Sequence, residues 1–195
     1  MPRLLDLFCG RWGWSRAFAA RGWECMGIDL LEPPEVPNNC CWSNVNVLMV
    51  TPSFIRDGNF DFIVASSPCE EFSIHGMKHF HPNPKYPEMG IKLFNHTREL
   101  CEASGVPYVM ENVRAAQQFV GRAAHHCGSF YLWGSAVPPI MHQGISKGFK
   151  HTEMYGRGPR RTSRSWASAT IPPELANCVA DYAERLLEVE AACPR

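Results

Sequence analysis

Short apolar runs alternate with polar, glycine and proline clusters along this chain, and their spacing predicts strands alternating with helices. Residues 3–9 (RLLDLFC) read as a buried strand closed by Gly10. Residues 14–21 (WSRAFAAR) suit a helix stopped by Gly22, and residues 24–30 (ECMGIDL) a second strand ending in an acid. Pro33, Pro34 and Pro37 mark a surface loop, and residues 44–50 a short third strand. Residues 60–65 (FDFIVA) form a clear strand, residues 75–90 a proline-rich loop, and residues 91–104 a helix. Strands follow at 107–112 (PYVMEN) and 129–133 (SFYLW). A helix covers 173–189, its two prolines at the start where they are tolerated. The alternation points to an α/β fold, a mostly parallel sheet with helices on both faces. In such sheets ligands sit beyond the carboxyl ends of the strands, and the polar punctuation falls there.

Composition narrows the class. A chain of 195 residues, 45% hydrophobic and 19% charged, reads as one folded domain over residues 1–195. Nineteen basic side chains balance nineteen acidic ones, so a nucleic-acid partner would have to be met by local patches. No apolar run approaches the ~20 residues of a membrane span. The N-terminal MPRLLDLFCG is unlike a signal peptide, so a reducing, cytoplasmic setting is expected, with no membrane partner. The nine cysteines contain no C-x-x-C pair, which argues against zinc, and most should be small buried hydrophobes. The His79–Phe80–His81 and His125–His126 groups lack a matching cysteine spacing, and no metal is expected.

Four clusters carry candidate chemistry. In DLFCGRWG, the glycines Gly10 and Gly13 allow a ligand close to a strand-to-helix turn. Asp29, about 20 residues further on, can accept hydrogen bonds from ribose hydroxyls, or serve as an ordinary loop acid. Ser67-Pro68-Cys69 presents a thiol on a rigid loop. A thiol of ordinary pKa near ~8.5 needs local stabilisation to act as a nucleophile, and a buried structural cysteine is the alternative. Glu111, in Glu111-Asn112-Val113, could exchange a proton with a heterocycle nitrogen or be a surface acid.

Taken in order, DLFCGRWG, Asp29, SSPCEEFS, Met110-Glu111-Asn112-Val113 and TIPPELA resemble the motifs of the cytosine-5 DNA methyltransferase family. The chain is similar to its compact, phage-type members, which have almost no separate target-recognition domain. The resemblance covers most of the chain. It implies a Rossmann-like S-adenosylmethionine-dependent methyltransferase fold and a bacterial or phage-infected host cell as the setting. It implies that Cys69 attacks C6 of a cytosine, that Glu111, with Asn112 beside it, holds N3 and the exocyclic amine, and that C5 takes a methyl from S-adenosylmethionine. The turn Phe8, Cys9, Gly10, Arg11, Trp12 and Gly13 would hold the methionine part of that donor, with Asp29 on the ribose, Asn46 near the adenine, and Pro68 and Ala169 alongside. The partner would be duplex DNA with a flipped cytosine. Ser73, with Lys78, His79, His81 and Lys85, would close over the base or meet phosphates.

The chain departs from that pattern at several points. The second glycine of the family's F-x-G-x-G is Trp12 here, so either the turn takes another path or the ring swings away as a wall. Arg11 beside it could favour a donor with a carboxylate on its methyl, carboxy-S-adenosylmethionine, or simply face solvent. Ser168 and Ala169 replace a Gly-Asn pair, and an arginine-rich strand is missing, for which Arg114 or Arg122 could substitute. The segment 135–165 carries Lys147, Lys150, Arg157, Arg160, Arg161 and Arg164 against Glu153 alone, which suits a phosphate-tracking arm reading a short site. Competing readings are an RNA cytosine methyltransferase, an enzyme acting on a free nucleotide, and a silent nucleic-acid-binding module. The sequence leaves the oligomeric state open.

Overall fold

A computed structural model describes residues 1–72, 88–139 and 171–192. They form one seven-stranded sheet of order β3-β2-β1-β4-β5-β7-β6. Its strands are β1 (Arg3–Leu7), β2 (Glu24–Asp29), β3 (Cys40–Asn44), β4 (Phe62–Ser66), β5 (Tyr108–Asn112), β6 (His125–Cys127) and β7 (Phe130–Trp133). The first five are mutually parallel, and β7 runs antiparallel to both β5 and β6. The helices are α1 (Ser15–Ala19), α2 (Pro52–Asp57), α3 (Glu88–Ser104), α4 (Gln117–Val120) and α5 (Pro173–Ala192). This is the Rossmann-like α/β architecture expected of the chain.

The central strand shows why. Leu4, Leu5, Asp6 and Leu7 of β1 are all buried, as in a strand covered on both faces. Successive side chains point to opposite faces, so Leu4 joins Trp14, Phe18, Val64, Val109, Leu175 and Val179 on one side. Leu5 and Leu7 join Ile63, Ala65, Phe94 and Met110 on the other. Helices α1 and α5 cover the first face. The buried stripe Ala176, Ala180 and Ala183 of α5 keeps that packing close. Arg21, just beyond α1, fastens the pair through Asn177 Oδ1 at 2.7 Å and Asp181 Oδ1 at 2.6 Å.

Several element boundaries differ from the sequence reading. The third strand is Cys40–Asn44, not 44–50; Val47–Met49 is a 3₁₀ turn because the Asn46 side chain caps it by accepting from Leu48 N at 3.0 Å. β1 stops at Leu7, since Phe8 turns the chain with φ +62°. Helix α2 was not expected; Thr51 caps it and Pro52 opens it. β6 was missed, α3 begins at Glu88 inside the expected loop, and α5 runs on to Ala192.

Among the described residues no helix is long and apolar enough to cross a membrane. Among them, too, no group of three or more His, Cys, Asp or Glu is arranged to hold a metal ion.

Candidate functional site

Parallel pairing brings the carboxyl ends of β1 to β5 to one edge of the sheet. The order reverses between β1 and β4, which opens a crevice there. Four of the sequence clusters converge on this edge: the turn after β1, Asp29 at the end of β2, the Ser66–Cys69 loop after β4, and Glu111-Asn112 at the end of β5.

The turn is built by its backbone. Phe8 N and Cys9 N both donate to Ile28 O, at 2.8 and 3.3 Å, and Trp12 N donates to Cys9 O at 2.7 Å. Phe8, Gly10 and Trp12 all lie in the left-handed region, with φ of +62°, +49° and +63°. For Phe and Trp this is a strained state, held by the surroundings. The Trp12 ring resolves the question its position raised. It is fully buried and packs inward against Gly27 of β2, and its Nε1 donates to Glu35 O at 2.9 Å. Trp12 therefore puts no side chain on the solvent side of the turn, and the backbone there stays approachable. Arg11 is exposed. Gly13 lets the chain before α5 close in, because a Cβ there would lie 2.9 Å from Ile171 N.

Two acids support this turn. Asp29 Oδ2 accepts from Gly10 N and its Oδ1 from Leu31 N, each at 3.0 Å. Each oxygen keeps a lone pair for a hydroxyl. Asp6, under the turn, is fully buried. Its Oδ2 accepts from Ser15 Oγ at 2.6 Å, and its Oδ1 has no partner among the described residues. Burial pushes its carboxyl up to about 7, against the lowering effect of Ser15. An orphaned buried oxygen calls for a donor. A ligand that carries vicinal hydroxyls, as S-adenosylmethionine does, fits the half-buried Asp29, while Asp6 lies beneath the turn. Burial and the nearby Asp6 push the Cys9 thiol well up, so it is inert packing.

Across the crevice, Asn112 braces the thiol loop. It is 1% exposed, and its Nδ2 donates to both Ser67 O and Ser67 Oγ, at 3.0 Å each. Its Oδ1 accepts from Val113 N at 2.8 Å. The Asn112 side chain is thus spent on holding the loop rather than presented to a ligand. Pro68 is exposed and Cys69 half-buried at the tip, where Cys69 O accepts from Phe72 N at 3.1 Å and closes a 3₁₀ turn at Glu70–Phe72. Phe72 is buried in the core, as packing favours.

Glu111 pairs in register with Ser66 on β4. Burial pushes its carboxyl up to about 7, and the Ser66 hydroxyl opposes that by hydrogen-bonding it. Ser66 Oγ in turn accepts from Trp14 Nε1 at 3.0 Å.

The remaining expectations fare unevenly. Arg114 and Arg122 are both exposed, beyond β5 and α4 respectively. Asn46 is exposed, and its side-chain oxygen caps the 3₁₀ turn. Ser73, Lys78, His79, His81, Lys85, Arg157, Arg160, Arg161, Ser168 and Ala169 lie outside the described residues, as does nearly all of the basic segment. Sequence reasoning missed Asp6, Trp14 and Ser66 as site residues, and the link from Ser67 to Asn112. Asp6 stood within the motif as an acid in an apolar strand, a signal in itself.

No protein-family model matches the sequence, and comparison with curated proteins finds no match. Among solved structures, a variant of Spodoptera frugiperda DNMT2 overlaps 60% of this chain at 22% identity and TM-score 0.41. An NAD-dependent NDP-hexosamine 5,6-dehydratase overlaps 56% at 23% identity and TM-score 0.40. A Burkholderia thailandensis 1,6-didemethyltoxoflavin-N1-methyltransferase with bound S-adenosylhomocysteine overlaps 68% at 14% identity and TM-score 0.37. The overlap spans 37% and 36% of the first two chains and 53% of the third. Overlaps this partial carry no argument about function, which rests on the geometry of the site.

Proposed function

We propose that this chain is a cytosine-5 methyltransferase acting on DNA, with Cys69 as nucleophile, Glu111 as acid and S-adenosylmethionine as methyl donor. The observation that supports it most is the pairing at the ends of β4 and β5. There the Asn112–Ser67 bonds brace the Cys69 loop beside Glu111, whose carboxyl sits near neutrality at about 7.

Each group has a task its environment suits. Cys69 sulfur adds to C6 of the pyrimidine, which moves electron density toward C5. Glu111 in its protonated form donates to N3 and so stabilises the charge that addition creates. A carboxyl near 7 can do this at neutral pH, where one at an ordinary value could not. Loss of the C5 proton and departure of Cys69 restore the ring. The turn of Phe8 to Gly13, with Asp29 beside it, would hold S-adenosylmethionine, which supplies an electrophilic methyl group on a sulfonium. The base must leave its stack to meet these groups, and Lys78, Arg157, Arg160 and Arg161 would hold the phosphates around it.

The test reads product mass. Purified protein is incubated with cytosine-containing duplex DNA and S-adenosylmethionine, then the DNA is digested to nucleosides. The expected product is 5-methylcytosine, absent with Cys69→Ala and strongly reduced with Glu111→Gln. A 5-fluorocytosine duplex should trap a covalent adduct that Cys69→Ala cannot form. An RNA arm and a carboxy-S-adenosylmethionine arm separate the substrate and donor alternatives, the latter repeated with Arg11→Ala. No modified cytosine in any DNA arm overturns the reading.

A further inference from the structure

Glu111 is served by a hydrogen-bond chain that starts outside its own strand. Trp14 stands immediately before α1, at the end of the turn, and is 2% exposed. Its indole N–H can only donate, and it donates to Ser66 Oγ at 3.0 Å. Ser66 has one hydroxyl hydrogen. With its oxygen already accepting from Trp14, that hydrogen is left to point at Glu111, the register partner of Ser66 on β5, whose carboxyl pKa the Ser66 hydroxyl lowers. The direction of the chain is therefore set by chemistry: indole to hydroxyl to carboxyl.

This direction has a consequence for the acid. In a neutral carboxyl the carbonyl oxygen is the stronger acceptor, so the oxygen facing the Ser66 hydroxyl is favoured as the carbonyl. When Glu111 is protonated, the proton sits on the other oxygen. We propose that Trp14 and Ser66 are positioning residues that fix the protonation site and aim of Glu111, so that its O–H is presented to an acceptor nitrogen of the substrate. The proposal rests on the reading of Glu111 as an acid. It adds that the donor turn and the acid are mechanically joined, since Trp14 is continuous with Gly13.

Other ionisable groups do not displace this role. Among the described residues these include Asp6 on β1, Cys69, Glu70 and Glu71 beyond β4, Arg114 beyond β5 and Tyr131 on β7, which pairs with β5. The influences on the Glu111 carboxyl are burial and the Ser66 hydroxyl.

The deciding experiment uses Ser66→Ala, Ser66→Thr and Trp14→Phe in the full chain, with two readouts. The Glu111 carboxyl is titrated by carbon-13 NMR with labelled glutamate, its resonance assigned by loss in Glu111→Gln. Methyl transfer is measured as kcat and KM separately. Removing a hydrogen bond to the ionised form raises a carboxyl pKa, so Ser66→Ala should move the titration to higher pH. Its kcat should fall by about tenfold or more, a part of the ~10²–10⁴ an oriented acid supplies, while KM for DNA changes little. Ser66→Thr keeps the hydroxyl and should restore both. Trp14→Phe, which frees the Ser66 hydroxyl to turn, should lower kcat in the same direction with KM held. An unshifted titration, or an equal loss in Ser66→Thr and Ser66→Ala, overturns the proposal. If the titration shifts as expected but the parent protein modifies no cytosine, the relay stands and the cytosine reading fails.

Discussion

A methyl group added at Gly27 would land inside the packing of the β1–α1 turn. In Gly27→Ala the new carbon would lie 2.5 Å from both Cη2 and Cζ3 of Trp12 and 2.7 Å from Cys9 Sγ. Carbon atoms in contact settle at about 3.5–4.0 Å, so the ring has to retreat by about 1 Å. It has little freedom to do so. The ring is fully buried, its Nε1 is bonded to Glu35 O, and its backbone already sits at φ +63°. Overpacking of this kind costs about 1–3 kcal/mol. Trp12→Phe shortens the ring and vacates the contested space, at the loss of the Glu35 hydrogen bond, about 1 kcal/mol, plus a cavity term. Combining the two should relieve the clash, leaving the double variant at least about 1 kcal/mol more stable than the sum of the singles. Urea unfolding followed by far-ultraviolet circular dichroism on all four proteins gives the cycle. Calorimetry with S-adenosylhomocysteine should show weaker binding in Gly27→Ala and partial recovery in the double variant. Strict additivity, or a Gly27→Ala protein as stable as the parent, would refute an inward, space-filling Trp12.

Three further outcomes follow from the same geometry. Asp29→Ala removes the acceptor of Gly10 N and a charged partner for ribose hydroxyls, about 1.5–3 kcal/mol per charged bond. S-Adenosylhomocysteine binding should weaken by at least tenfold by calorimetry. Asn112→Ala leaves buried Ser67 groups unpaired, about 1–3 kcal/mol. It should lower the urea midpoint and also slow the labelling of Cys69-dependent adducts on a 5-fluorocytosine duplex. Asp6 has a folded-state carboxyl raised from 3.8 to about 7, so between those values the folded chain holds a proton that the unfolded chain has lost. That contribution to stability is present below pH 4 and disappears as pH rises to about 7. Asp6→Asn should therefore raise the melting temperature relative to the parent at pH 8, with the advantage shrinking toward pH 4. An advantage independent of pH would contradict it.

What could be read from the sequence was what central strands and turns write into it. β1, β4 and β5 are buried on both faces, so their apolar runs stand out, and the polar residues at their ends flag the site edge. β3 has no fully buried residue and lies at the edge of the sheet. Cys40–Asn44 therefore carries no pattern, while the apolar run after it imitates a strand although Asn46 caps it into a turn. The missed helix α2 was signalled by Thr51-Pro52, a cap followed by a proline at the first position. Ser66 and Trp14 could not be found in this way. Their meaning depends on which residues register places side by side across strands, and on a ring reaching over 52 positions of sequence. Asn112 illustrates a subtler gap: its place in the site was legible, but its task as a brace for Ser67 needed coordinates.

The fit of Gly13 against Ile171 also bears on the order in which the molecule can be completed during synthesis. The turn and β1 leave the ribosome early, but one wall of their packing arrives with α5, some 160 residues later. At ~5–20 residues per second that is a wait of roughly 8–30 s. Meanwhile Leu4, Trp14 and Phe18, which α5 will cover, are open to water and to other chains. A nascent chain of this protein is therefore most exposed to misassembly through the very face that carries its ligand turn. Chaperone demand in the cell should concentrate on chains stalled before Pro173.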